Sequence, residues 1–260
     1  MLWGVFSDVH SNPEALDAAL GALRKRGARG YVCCGDIVGY GPNPNEVVER
    51  IAALKPLHAV SGNHDLAVLG RMNLEWFNAY AQAAAVWTRW KLSEASARFL
   101  ESLPQLVETE GFTVAHGSPR DPAEEYLLTP EQFVDNLAHF KVSPCFVGHS
   151  HLPWCFGAEA AGRPAGGDWS QAPLSPWEIR KEQLSDGQKL AIPKGVPWVL
   201  NPGSVGQPRD RDSRVSCAVY DDEKREFELV RAPYDIEAVQ GRMREAGLPE
   251  FLAQRLSHGQ

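Results

Sequence analysis

Apolar runs that stop at a carboxylate, an amide or an imidazole recur along the first part of this chain. LWGVFS leads into Asp8 and His10, YVCCG into Asp36, HAVSG into Asn63 and His64, FTVA into His116, and PCFVG into His149 and His151. Short β-branched and aromatic runs of this kind read as buried strands. After the first, Asn12-Pro13-Glu14 opens a helix to about Arg26, with Asn12 as N-cap and Pro13 at the first helical position. Gly27 and Gly30 end it. A strand at 31–34, a glycine-rich loop at 35–41, a helix near 45–54 and a strand at 57–61 follow. The spacing of Leu74, Phe77, Tyr80, Ala84, Trp90, Ala95, Phe99 and Leu103 predicts two helices over 74–103. Short strands near 105–109 and 112–115, a helix near 130–139 and a strand at 144–148 complete this half. Strand and helix in alternation predict parallel pairing through crossover helices.

The stretch 158–197 is rich in Gly, Pro, Ser, Asp and Gln and has little periodicity, which reads as a long irregular loop or a hairpin extension. Its place in sequence, soon after His151, makes it a candidate mobile rim over the ligand residues. Strand-like patterns return at 197–200, 215–220 and 226–230, with a helix near 235–246. The sum is an α/β chain of two packed sheets flanked by helices. With 260 residues there is ample chain for one hydrophobic core, so the expected organisation is one domain over 1–260 with an irregular insertion at about 158–197.

Charge narrows the partners. A formal net charge of -7 argues against bulk nucleic-acid binding, which needs a basic face to release counterions. Five cysteines, odd in number and without a CxxC pair, read as reduced core residues of a cytoplasmic protein. The start of the chain lacks the basic and long apolar regions of a secretory signal, and no run has the length of a membrane span.

The polar residues that end the apolar runs suggest a metal centre, because ligands collect at the carboxyl ends of strands in open α/β sheets. Asp8 and His10 are two apart and, in an extended segment, project to one side. Asp36 can bridge two cations with one carboxylate. His149 and His151 can grip from the far side. Mixed nitrogen and oxygen donors suit Mn²⁺, with Fe, Zn²⁺ or Ni²⁺ as alternatives. The Gly39 to Asn43 segment is either a tight turn or part of a pocket mouth.

Taken in order, Asp8-Val9-His10, Gly35-Asp36-Ile37-Val38-Gly39, Gly62-Asn63-His64-Asp65, His116 and Gly148-His149-Ser150-His151 resemble the five motifs of the calcineurin-like metallophosphoesterase superfamily. Asn201-Pro202-Gly203-Ser204-Val205-Gly206 resembles the segment with which its small prokaryotic phosphodiesterases return to the sheet. The resemblance implies a four-layer α/β/β/α sandwich with two mixed sheets and a dinuclear centre. It assigns Asp8, His10, Asp36 and His151 to one metal, and Asp36, Asn63, His116 and His149 to the other. It makes His64 a general acid whose ring Asp65 could orient. Asn63, Arg120 and Arg209 are the candidate contacts for phosphate oxygens, with surface solvation as the alternative for the two arginines.

These implications describe a metal-dependent phosphoesterase that attacks a small phosphodiester, with phosphomonoesters as a further substrate class, through a metal-bridging hydroxide. A phosphomonoesterase or phosphoprotein phosphatase of the same superfamily is the alternative, weakened by Ser61 standing where those phosphatases carry an arginine. The alternative of another class is a noncatalytic interaction module on the same fold. Oligomeric state stays open.

Overall fold

The computed structural model describes residues 1–160, 169 and 177–260. In chain order the strands are β1 (Leu2–Phe6), β2 (Gly30–Cys33), β3 (Leu57–Ala59), β4 (Leu106–Glu108), β5 (Thr113–Ala115), β6 (Cys145–Phe146), β7 (Pro153–Ala160), β8 (Trp177–Gln183), β9 (Lys189–Ala191), β10 (Trp198–Pro202), β11 (Val215–Asp221) and β12 (Glu226–Ala232). They form two mixed six-stranded sheets, β3-β2-β1-β11-β12-β9 and β4-β5-β6-β10-β7-β8. The helices are α1 (Pro13–Lys25), α2 (Pro44–Ala52), α3 (Asn63–Val68), α4 (Ala79–Lys91), α5 (Glu94–Glu101), α6 (Pro130–Asn136), α7 (Ile236–Glu245) and α8 (Glu250–Gln254).

The central strands read as unbroken apolar runs because both of their faces are buried. On β11, Ala218 and Tyr220 join the core between the sheets, while Cys217 and Val219 face α1 and α2. Trp3, Phe146, Trp198 and Phe227 fill the same inter-sheet layer, and Phe133 and Leu137 cover the outer face of the second sheet. Helix, sheet, sheet and helix thus stack as the four-layer sandwich. Each fully buried side chain of this size contributes roughly 1.5–3 kcal/mol relative to exposure. All five cysteines are free and buried. Among the described residues no helix is long and apolar enough to cross a membrane.

The strand order positions the site. β1, β2 and β3 run parallel in one sheet, and β5, β6 and β10 run parallel in the other. The loops at their carboxyl ends carry Asp8, Asp36, Asn63, His116, His149 and His151.

Of the stretch 158–197, the described part fits the hairpin alternative and not the irregular loop. β8 pairs along the whole of β7, from Trp154 opposite Gln183 to Ala160 opposite Trp177, and β9 closes the edge of the other sheet. β7 starts two residues after His151 and runs eight residues away from it, so its far end stands roughly 25 Å from the ligand loops at the usual rise per residue. The rim expected over the ligands would need residues from 161–168 and 170–176, which lie outside the described residues.

Candidate metal centre

Seven side chains predicted as ligands meet where the two sheets' carboxyl ends face each other. Asp8, His10, Asp36 and His151 form one buried cluster, and Asp36, His116 and His149 a second that shares Asp36; within each, the donor atoms all lie within 4.8 Å of one another. Asn63 joins the second, its Oδ1 lying 3.0 Å from His116 Nε2.

The backbone is bent to bring them there. Asp8, His10, Asp36, His149 and His151 have φ of 54°, 49°, 52°, 64° and 58°. Non-glycine residues rarely take this left-handed region, and strain of this kind gathers at functional sites. Asp8 and His10 therefore converge through a left-handed loop beyond β1, not through the extended alternation their spacing suggested. Backbone bonds hold the loops in this shape: Asp8 N donates to Gly35 O (3.0 Å), His10 N to Asp36 O (3.0 Å) and Gly206 N to Asp8 O (2.8 Å). Ser204 Oγ also donates to Asp8 O at 2.9 Å, so the 201–206 turn ties one sheet's loops to the other's. Close approach needs glycine at two points. A Cβ on Gly62 would lie 2.1 Å from Asp36 Oδ1, and one on Gly148 would lie 1.9 Å from Ser7 Oγ.

The ring nitrogens are oriented for cations. His10 Nδ1 lies 3.1 Å from Val38 O, His151 Nδ1 2.6 Å from Gln207 O and His116 Nδ1 2.8 Å from Cys34 O. A carbonyl can only accept, so each Nδ1 carries a proton; Nε2 of His10 and His151 presents a lone pair, and Nε2 of His116 does so once its second proton is lost. His10 Nε2 and His151 Nε2 then face each other at 3.2 Å. His116 Nε2 faces Asp36 Oδ2 at 3.4 Å. Asp8 Oδ2 is buried with no hydrogen-bond partner. Lone pairs converging on lone pairs beside an unpartnered buried carboxylate oxygen are what a divalent cation would satisfy. His149 uses its other face: Nε2 donates to Glu124 O (3.1 Å), which leaves Nδ1 as the free donor atom.

Electrostatics agree. Burial pushes Asp8 up to about 7. Burial opposes ionisation of Asp36 as well, but the His116, His64 and His10 imidazoles outweigh it and hold that carboxyl well below the usual range. Burial would lower His116, yet Asp36 and Asp8 raise it to about 9. His10 and His151 are driven well below their ordinary value by burial, and His149 to about 3.

His64 sits at the edge of the two clusters, at the floor of an open cavity of about 180 Å³ that Asn63, His149 and Tyr40 also line. Burial lowers it to about 4, and its Nδ1 has no partner. Asp65 does not orient this ring. Its Oδ2 accepts from Ile37 N (3.2 Å) and Gly62 N (3.0 Å), and its Oδ1 from Val38 N (3.0 Å), so it pins the Asp36 loop to the start of α3. The His64 ring is held instead by Tyr40, Phe77 and His10, with centroids at 4.4, 5.0 and 5.0 Å. Asp65→Asn must turn an NH₂ toward at least one of those backbone donors. The expected loss is roughly 1–3 kcal/mol for each buried donor left unpaired, read from urea unfolding.

The two arginines part company. Arg209 stands beside the centre: its N donates to His151 O (3.3 Å), its Nη2 to Gln207 Oε1 (3.2 Å), and its Nε is buried without a partner. Arg120 does not reach the centre. Its guanidinium pairs with Glu125 and with Asp135 (3.0 Å), and its N donates to Asn136 Oδ1 (2.8 Å). These bonds close the 118–126 loop, which presents the Glu124 carbonyl and the Tyr126 ring to His149; that ring stacks on the imidazole at 3.9 Å. Glu124, Tyr126 and Gln207 escaped the sequence reading, because carbonyl anchors and stacking partners leave no motif.

A fold with ligand-bearing loops at the carboxyl ends of two packed sheets and two carboxylate-histidine clusters sharing one aspartate defines a metallophosphoesterase-type centre. The chain belongs to the calcineurin-like phosphoesterase superfamily, whose domain model matches residues 1–225. It is 37% identical to an uncharacterized protein of Methanocaldococcus jannaschii, over 98% of this chain and 97% of that one. The crystal structure of a metallophosphoesterase from Sphaerobacter thermophilus, 38% identical, superposes with a TM-score of 0.85 over 100% of this chain and 99% of that one. A hypothetical protein from Pyrococcus horikoshii OT3, 20% identical, shares the fold with a TM-score of 0.74 over 100% and 98% of the two chains.

Proposed function

We propose that the protein is a metal-dependent phosphodiesterase acting on small phosphate esters, with Asp8, His10, Asp36 and His151 holding one divalent ion and Asp36, Asn63, His116 and His149 the other. The observation that carries this reading is the single Asp36 carboxylate shared by two buried donor clusters. Four imidazoles, two carboxylates and one amide suit Mn²⁺ first, with Fe, Zn²⁺ or Ni²⁺ as alternatives. Two such ions supply the charge that makes water a nucleophile near neutral pH and neutralise phosphoryl oxygens.

The chain's own residues supply the rest. Arg209, with a buried Nε in need of an acceptor, grips a nonbridging oxygen, and Asn63 offers its amide to the ester. His64 faces the cavity into which a leaving group would extend. It is neutral in the resting protein, and the ester's negative charge favours the imidazolium that can give a proton to the leaving oxygen.

Preference for a diester follows from charge. A monoester dianion gains more from an added cation than a diester monoanion. Position 61 supplies no such cation, since Ser61 is buried with its N bonded to Pro104 O (2.9 Å), and Arg120 is spent on Glu125 and Asp135, so of the arginines considered Arg209 alone stands at the phosphate and any monoester turnover depends on it. The test is kcat/KM with Mn²⁺ for bis-p-nitrophenyl phosphate against p-nitrophenyl phosphate. The diester should be preferred. Arg209→Ala should lower the monoester value by at least about tenfold, the worth of one charged hydrogen bond, and the diester value by less. A clear wild-type preference for the monoester would overturn the diester reading.

Proton competition gives a second check. Asp8 at about 7 and His116 at about 9 must lose protons before they can bind a cation, so ion affinity rises as pH climbs through that window. The sign for metal-free stability is the opposite. Between its unfolded range and about 7 the folded metal-free protein holds a proton on Asp8 that the unfolded chain has lost, so Asp8 lowers metal-free stability as pH rises through that interval. The rise in Tm on adding Mn²⁺ should therefore be larger at pH 8 than at pH 5.5, as should ion content after dialysis.

A further inference from the structure

We infer that the cavity beside His64 receives a planar aromatic arm of the ester, a nucleobase, stacked against Trp76. This rests on the phosphoesterase reading above and adds to it the chemistry of the group carried by the phosphate. The cavity opens directly onto Asn63, His64 and His149, so whatever projects from a phosphate at the two clusters on the His64 side enters it.

Its walls are aromatic. Trp76, at the end of the Leu74–Trp76 turn, is 69% exposed, and Tyr126 across the same cavity is 44% exposed. Phe77 lines it too, its ring edge-on to His64. Single exposed aromatics are ordinary; Trp90, 84% exposed on α4, lines no cavity described here and needs no explanation. Trp76 and Tyr126 are different because they converge on one small space next to the proposed leaving-group acid. Tyr126 is already fixed by its stack on His149, and Asn73 holds the Trp76 turn by accepting from Glu75 N (3.0 Å). The Tyr126 ring is thus set before any ligand arrives and the Trp76 turn is fixed at its backbone, which reduces the ordering cost of binding.

Size and charge select the occupant. At about 180 Å³ the space is below the usual volume for drug-sized ligands and suits one ring system; a folded partner or a helix would not enter. Glu124 is the acidic group in the wall. As an exposed acidic residue at that wall it favours an arm with hydrogen-bond donors, such as the exocyclic amino group of adenine, over a second phosphate. The preferred arm is therefore a nucleoside, not a polyphosphate chain.

The probe is adenosine 5′-monophosphate against methyl phosphate, with Kd measured by calorimetry on the full-length Mn²⁺-loaded protein, wild type and Trp76→Ala. Base stacking on an aromatic side chain predicts that the nucleotide binds roughly 5- to 100-fold more tightly than methyl phosphate. Trp76→Ala should erase most of that difference while methyl phosphate binding changes less than about threefold, and Trp76→Phe should restore part of it. Equal affinity of the two probes for wild type, in a protein that still hydrolyses bis-p-nitrophenyl phosphate, overturns the nucleobase subsite and leaves the phosphoesterase reading standing. Failure to bind either probe together with failure to hydrolyse any ester removes that reading, and the subsite with it. A nucleotide advantage that survives Trp76→Ala unchanged also overturns the assignment.

Discussion

Asp36→Asn should reduce bound metal from two ions per chain to well under one and lower kcat/KM by at least about three orders of magnitude, since loss of cation charge stabilisation is worth several kcal/mol. The reason is geometric. Asp36 Oδ1 accepts from His64 N at 2.9 Å, while Oδ2 lies 3.6 Å from His10 Nε2 and 3.4 Å from His116 Nε2, so one carboxylate touches both donor clusters. The amide keeps the hydrogen bond from His64 N but loses the negative charge and one donor oxygen, which leaves the fold intact and both ions weakened. Elemental analysis after Mn²⁺ loading reads the first effect and initial rates read the second. Two tightly held ions in the variant would dismiss the shared-ligand assignment.

His64→Ala should leave both ions in place and slow turnover by ~10²–10⁴-fold, the usual range for a general acid. The loss should depend on the ester. A p-nitrophenolate leaves readily without a proton, whereas an alkoxide does not, so the variant should be impaired far more on an alkyl ester than on a p-nitrophenyl ester. The same fold loss on both would mean that His64 shapes the cavity and transfers no proton. Its neighbours matter here, because Tyr40 and Phe77 fix the imidazole by packing where Asp65 contributes nothing.

That error about Asp65 shows where sequence stops being readable. Adjacent residues in a helix do not face one another, and Asn63 to Val68 is a helix that begins inside the motif itself. Asp65 stands in its first turn and reaches back to Gly62 N, so chain proximity to His64 misleads. Arg120 fails for a related reason: nothing in its position reveals that Glu125 and Asp135 will fold against it. The candidate ligands that converge were visible in the sequence because most of them follow a strand buried on both faces, and an unbroken apolar run ending in a donor shows without a structure. The bounds of β8 and β9 were not, since these edge strands carry few apolar residues, as Trp177 to Gln183 with Trp177 and Ile179 alone does, and resemble loops in composition. β7, with Pro153 at its start and Gly157 in its middle, carries the same disguise.

Five of the ligand residues hold a left-handed backbone, and one of them buries a carboxylate that protein groups leave half satisfied. Strain of this kind costs of order 1–3 kcal/mol per residue, and glycine at such a position would relieve it. Without a cation that strain is a standing cost to the fold. Under the phosphoesterase reading proposed above, binding of the two ions offsets that strain, so removing them should lower the unfolding temperature of the wild type more than that of a variant with glycine at one of these positions.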